Sequence, residues 1–355
     1  MRIIGLMSGT SLDGVDAALI ETDGEAIAGT GPSLTLPYDP DLRSALRHLI
    51  DLAATDEHVA AGSALLRSVE ASVTLVHAEA VRALGQPAAL IGFHGQTILH
   101  APARRRTWQI GDAPALARLT GISVACDFRL ADMAAGGQGA PLAPVFHAAM
   151  AAGLERPLLV VNIGGVANLT WIGADGTLLA CDTGPGNALL DDFMAIRTGQ
   201  AMDRDGALAR AGRPDAAVLA RLLADPFFRL AAPKSLDRQH FAGALQAVAP
   251  LSTADGAATL AAFTARAIAG CPVPSPPARV LVTGGGRHNP AIMAALSAAA
   301  GVVAEKVEGV GWDGDALEAQ CFAFLAARVM RGLPLSFPAT TGVPGPMPGG
   351  RIVAP

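Results

Sequence analysis

Cysteine is scarce in this sequence, with four residues in 355, and Cys126, Cys181, Cys271 and Cys321 lie far apart with no C-x-x-C spacing. Neither a thiolate zinc site nor a redox pair is suggested by that spacing, and buried free thiols are the expectation. Clustered positive charge is also lacking. The formal net charge is -5 and Arg104-Arg105-Arg106 is the one basic run, too little for a nucleic-acid backbone. No stretch approaches the roughly 18 apolar residues of a membrane span. The N-terminus opens on a strand pattern rather than a basic segment followed by an apolar one, so the expectation is a cytoplasmic protein.

What is present is apolar bulk. Half of the chain, 51%, is hydrophobic, and single cores stop growing near about 250–300 residues, so two domains are expected. The positive mean hydropathy comes mainly from alanine, a helix former.

The first stretch carries the most information. Met1 to Ser8 is an apolar strand, Gly9-Thr10-Ser11-Leu12-Asp13 a hydroxyl- and glycine-rich turn, and Gly14-Val15-Asp16 starts a strand going out again. Glycines let backbone approach a ligand, and hydroxyls add donors to the N–H groups, so the turn could cradle phosphate oxygens. Asp13 is placed to hold a metal-bound water. A plain hairpin explains the same residues.

Further on, Glu25–Thr30 and Ser33–Leu36 read as strands, Pro40–Asp51 and about His58–Leu84 as helices, and Ala88–Phe93 as a buried strand ending in His94-Gly95-Gln96-Thr97. Ligands collect at such strand ends. Ile122–Cys126 is another strand, running into Asp127-Phe128-Arg129, and the glycine-rich Met133–Pro141 reads as a hinge. The pattern then restarts: Leu158–Asn162, a Gly164-Gly165 turn, Ala167–Ile172 and Thr177–Ala180, with Arg279–Thr283 as a later strand. Domains 1–133 and 134–355 follow, the second with an insertion near 197–250. Helices are expected from about Thr253 to Gly270, Asn289 to Ala300 and Asp313 to Arg331, the last of which, with the Pro- and Gly-rich strap after it, could return to the first domain.

Two later loops resemble sites. Cys181-Asp182-Thr183-Gly184-Pro185-Gly186-Asn187 puts a carboxylate at a strand end and donors before a helix, which suits anions; a strand-to-helix turn capped by Asn187 is the plain alternative. Thr283-Gly284-Gly285-Gly286-Arg287-His288-Asn289-Pro290 follows a strand and allows close contact with a nucleotide. Its spacing does not fit the G-x-G-x-x-G dinucleotide fingerprint, which disfavours a nicotinamide oxidoreductase.

The string Gly5 to Asp16 closely resembles the opening of the anhydro-N-acetylmuramic acid kinases. Phe93–Thr97, Asp127–Arg129, Cys181–Asn187, the Gly284–Gly286 loop and Asp315–Gln320 also look like segments of that family, in order from Gly5 to about Gly350. The resemblance implies an α/β fold of two ribonuclease-H-like domains with a nucleotide cleft between them, as in the sugar kinase, heat-shock and actin superfamily. It implies an ATP- and Mg2+-dependent kinase that opens the 1,6-anhydro ring and phosphorylates O6, in peptidoglycan recycling. It assigns the catalytic carboxylate to Asp182. The nucleotide would lie against Gly9 to Asp16, Gly184, Gly284, Gly285, Gly286 and Asn289. The sugar would be gripped by His94, Gln96, Thr97, Asp127, Arg129 and Glu318, with Arg129 as a bidentate clamp on the lactyl carboxylate. ATP and the sugar are then the partners, with a homodimer as an option. Rivals are another sugar or carboxylate kinase of the superfamily, and a nucleotide-gated binding module, which would need a β-rich domain after residue 331.

Overall fold

The computed structural model describes residues 1–9, 11–237 and 240–355. The chain divides into two units, Met1–Met150 with Ala316–Pro355, and Ala151–Asp315. Each is an α/β unit built on its own sheet.

In the first unit β1 (Arg2–Ser8), β2 (Gly14–Thr22) and β3 (Ile27–Pro37) form an antiparallel meander. β1 is apolar because it is a central strand: Ile3, Ile4 and Leu6 are fully buried. β3 is one strand through Gly31 and Pro32 where composition suggested two, its register against β2 shifting between Ala18 and Ile20. β4 (Leu90–Ala101) lies parallel to β1, β5 (Arg106–Ile110) folds back on it, and β6 (Val124–Cys126) runs parallel to it. The C-terminal strand Arg351–Val353 covers the edge at β6.

β4 does not stop at Phe93, as its apolar run suggests. Gly95 takes a φ of +73° and the register against β1 shifts between Leu6 and Ser8. This bulge carries the polar residues onward to pair with β5.

Helices cover the sheet. Asp39 caps Pro40–Thr55 by accepting from Leu42 N–H at 2.8 Å, and the stripe Leu42, Leu46, Leu49 and Ala53 faces inward. The stretch 58–84 is broken at Ser63, which ends Glu57–Gly62 and caps Ala64–Leu84 through Leu66 N–H at 3.0 Å. The helix Leu317–Arg331 starts after the Asp313 that composition suggested and packs against β1, β2 and β4. The glycine-rich run 133–141 lies inside this unit.

The second unit repeats the plan. β7 (Leu158–Ile163), β8 (Val166–Ile172) and β9 (Leu178–Pro185) form a meander, with β10 (Arg279–Thr283) parallel to β7 and β11 (Ala304–Lys306) parallel to β10. The order β11-β10-β7-β8-β9 matches β6-β4-β1-β2-β3 strand for strand. This is the ribonuclease-H-like topology in both units. The helix Thr253–Ala269 is buried almost all round, Phe263 completely, which explains why its sequence carries so little polarity. Among the described residues no helix is long and apolar enough to cross a membrane.

Candidate active site

β1 ends at Ser8, whose buried hydroxyl donates to Gln96 Oε1 and stands 2.8 Å from Tyr38 Oη. With its one proton used, Ser8 accepts from the Tyr38 phenol, which burial pushes up to about 12. Gln96 is fully buried, and its amide nitrogen donates to the carbonyls of Gly9 at 3.3 Å and Thr97 at 3.1 Å. Both ends of this side chain therefore hold the turn.

Past Gly9 the chain tightens, with Leu12 N–H 3.2 Å from the Gly9 carbonyl and Leu12 at a φ of +59°. Leu12 and Val15 pack into the core, Gly14 opens β2, and Asp16 accepts from Thr35 at 2.6 Å. Gly9, Ser11 and Asp13 remain accessible; Thr10 lies outside the described residues. Arg43 reaches in from the helix behind Asp39, 2.9 Å from Asp13 Oδ1 and 3.4 Å from the Ser11 carbonyl.

His94 and Arg129 make a second cluster in this unit. Arg129 donates to His94 Nε2 from Nε at 3.1 Å and lies 3.0 Å from it through Nη2, which leaves His94 Nδ1–H to donate to the Gly95 carbonyl at 2.8 Å. Burial, helped by the adjacent guanidinium, holds His94 well below its ordinary value, so the ring is neutral. Arg129 also donates to the Gly139 carbonyl at 2.7 Å, and Gly139 N–H donates to Asp132 Oδ1 at 2.6 Å. Burial pulls Arg129 downward, and the charge of exposed Glu318, on the otherwise buried first turn of Leu317–Arg331, opposes it. Thr97 accepts from Gln109 at 3.1 Å. Asp127, at a φ of +60°, pairs with Arg351 and so ties down the C-terminal strand.

In the second unit Asp182 stands near the end of β9. Its N–H donates to the Lys234 carbonyl at 2.9 Å, and its Oδ2 accepts from Leu236 N–H at 2.8 Å. Burial pushes the Asp182 carboxyl up to about 6, against the pull of Leu236 N–H and the Lys234 ammonium. Lys234 is itself buried, donating to the Phe227 carbonyl at 3.0 Å and lying 4.4 Å over the Phe227 ring. Gly184 continues β9 at a φ of +155°.

The loop after β10 packs on β7. A Cβ at Gly284 would stand 2.2 Å from Asn162 Oδ1, and one at Gly286 2.3 Å from Ile163 Cγ2, so these two glycines serve packing. Gly285 alone of the three is exposed. Asn289 caps the helix Pro290–Ala300 through Ala291 N–H at 3.0 Å and Ile292 N–H at 3.3 Å. Buried Arg287 joins the loop to Glu308 at 2.8 Å and Asp315 at 2.7 Å.

A family model described as anhydro-N-acetylmuramic acid kinase matches residues 1–354. The chain belongs to the anhydro-N-acetylmuramic acid kinase family. A curated kinase of that name from Acidiphilium cryptum is 62% identical, over 100% of this chain and 99% of the relative. One from Paramagnetospirillum magneticum is 53% identical over the whole of both chains. One from Rhodospirillum rubrum is 55% identical over 98% of this chain and 92% of its own.

Within this anhydro-N-acetylmuramic acid kinase chain, the residues named from sequence divide by what their side chains do. His94, Arg129 and Glu318 share one electrostatic neighbourhood, and Asp182 is a partly buried carboxyl inside β9, which runs on past it to Pro185 rather than ending there as its sequence suggested. Gln96, Asp127 and Asn289 each have internal partners that account for them. Tyr38, Arg43, Asp132, Lys234 and Arg287 received no role from the sequence. Each acts across a long separation in the chain, which a linear pattern does not carry. A magnesium ion brought by a kinase's nucleotide usually keeps several waters and takes one or two carboxylates beside the phosphates. Among the described residues no three metal-ligating side chains cluster, and the single exposed carboxylate of Asp13 fits that loose demand.

Proposed function

We infer that this kinase phosphorylates O6 of 1,6-anhydro-N-acetylmuramic acid with ATP while water opens the anhydro ring, giving N-acetylmuramate 6-phosphate and ADP in cytoplasmic cell-wall recycling. The observation that carries the mechanism is Asp182, a carboxyl raised to about 6 by burial and aimed by the Leu236 N–H. Such a group is ionised at neutral pH yet basic enough to take a proton.

Asp182 accepts a proton from water as that water attacks C1. The C1–O6 bond breaks, and O6 takes the γ-phosphoryl group from ATP in place of a proton. The first half resembles inverting glycoside hydrolysis, in which a carboxylate activates water. Phosphoryl transfer asks the protein chiefly for alignment and charge stabilisation. The accessible turn at Gly9, Ser11 and Asp13 cradles phosphate oxygens, and Gly184, exposed Gly285 and its loop approach the nucleotide. Asp13 would hold magnesium through its water shell, where the ion would neutralise phosphate charge. Arg129, oriented by His94 and Gly139, presents its remaining donors to the lactyl carboxylate; Glu318 lies beside it for a sugar hydroxyl.

Turnover in oxygen-18 water with Mg-ATP tests the whole scheme. The expected product is a 6-phosphorylated sugar carrying the label at C1, formed one-to-one with ADP. Unlabelled sugar phosphate, or ADP release that ignores the sugar, would sink it.

Gln96 separates two roles. Gln96→Leu frees the Gly9 carbonyl and Ser8, so the KM for ATP should rise roughly 3- to 10-fold, the equivalent of about one hydrogen bond, with the KM for sugar unchanged. A rise confined to the sugar KM would place Gln96 on the sugar instead.

A further inference from the structure

Two of the four cysteines are neighbours in space. Cys181 on β9 and Cys271, just past the helix Thr253–Ala269, hold their sulfurs 3.4 Å apart, and both are buried. The flanking Cys181-Asp182 peptide carries the proposed base. A groove of about 740 Å³ is lined by Phe228, Ala267 and Gly270 among others, and by neither cysteine. Gly270 directly precedes Cys271, which retains 7% exposure against 0% for Cys181.

We propose that Cys181 and Cys271 are an oxidative modification site, closed to a disulfide by hydrogen peroxide that reaches Cys271 from the groove at Gly270. Cys271 is the first to react. Of the pair it is the one that keeps some exposure and that follows directly on Gly270 of the groove lining, and the Lys234 ammonium favours its thiolate. The Cys271 sulfur attacks one peroxide oxygen, the O–O bond breaks, and the departing hydroxide leaves as water with the thiol proton. The Cys181 sulfur then attacks the sulfenic sulfur, the S–O bond breaks, and a second water leaves with the Cys181 proton. Two thiols are oxidised by two electrons and one peroxide is reduced to two waters.

Closing to a disulfide length requires the sulfurs to approach by roughly 1.3 Å. That displacement falls on the residue before Asp182, and a misplacement of about 1 Å at a catalytic group can cost about 10²-fold. The activity consequence rests on the role proposed for Asp182; bond formation does not.

The test treats reduced full-length protein with hydrogen peroxide, then maps peptides and assays the kinase. Expected are a mass lower by 2 Da, a Cys181–Cys271 cross-linked peptide, intact Cys126 and Cys321 thiols, and at least about a 10-fold activity loss reversed by dithiothreitol. Cys271→Ala should keep the basal rate and resist peroxide. Sulfinic or sulfonic acids without the cross-link, or a cross-link between other cysteines, would overturn the site. A cross-linked enzyme of full activity, or equal peroxide loss in Cys271→Ala, would overturn its coupling to catalysis. If reduced protein fails to use the anhydro sugar, the functional reading fails and peptide mapping still decides the disulfide.

Discussion

Asp182→Asn should lower turnover by about 10²- to 10⁴-fold, the usual contribution of a general base, while ATP and anhydro sugar bind with nearly unchanged affinity in calorimetry. The side chain keeps its shape, and an asparagine oxygen can still accept from Leu236 N–H, which lies 2.8 Å from Oδ2 in the parent. Only the ability to take a proton disappears. Loss of fold is not a competing explanation, and its sign can be worked out. A carboxyl whose folded pKa is raised adds stability at low pH that is lost as pH climbs through the folded value. Above about pH 6 ionised Asp182 is therefore a burden on the fold, and the asparagine variant should melt no lower than the parent at pH 8. The same shift sets the pH profile. In the parent, kcat/KM should fall about tenfold per pH unit below a midpoint near 6, because protonated Asp182 cannot act as base. Undiminished turnover in the variant, or a parent midpoint near the ordinary carboxyl range, would remove Asp182 from the chemistry.

The sheet architecture was legible in the sequence because buried parallel strands write themselves as continuous apolar runs: Leu158 to Asn162 and Arg279 to Thr283 are such strands. β4 was only half legible. Its second half reads His-Gly-Gln-Thr, and polarity marks a loop unless partners inside the fold are known; Gln96 has them in Ser8, Gly9 and Thr97. Asp182 could be singled out because a carboxylate closing an apolar run before glycines is a local pattern, although β9 continues past it to Pro185. Its environment could not, since Lys234 and Leu236 arrive from a segment with no periodicity of its own. Asp127 shows the reverse. It looked like a sugar ligand beside Arg129, and the partner it has, Arg351, comes from the far end of the chain.

Asp132→Ala should cost about 3–5 kcal/mol in the unfolding of the first unit, measured as a shift of its chemical-denaturation midpoint. Asp132 is 2% exposed and accepts from Gly139 N–H at 2.6 Å, from Thr341 Oγ1 at 2.6 Å and from the Ser336 hydroxyl. Hydrogen bonds to a charged group contribute about 1.5–3 kcal/mol each, and the truncation strands three buried donors at once. The total stays below their sum because donors in one network do not add and the two hydroxyls can rotate toward other acceptors. Asp132→Asn, which retains an oxygen, should lose less. The effect should reach the site by a traceable route. Gly139, held by Asp132 through its N–H, offers its carbonyl to Arg129 at 2.7 Å, and Arg129 in turn donates to His94. With Gly139 released, Arg129 loses one of the two partners that aim it. The sugar KM should then rise about tenfold, the equivalent of roughly 1.4 kcal/mol, with the KM for ATP unchanged. Equal increases in both constants would mean general loosening of the unit. An unchanged denaturation midpoint would mean that the three donors find other partners, and that the strap carrying Ser336 and Thr341 is held by its remaining contacts.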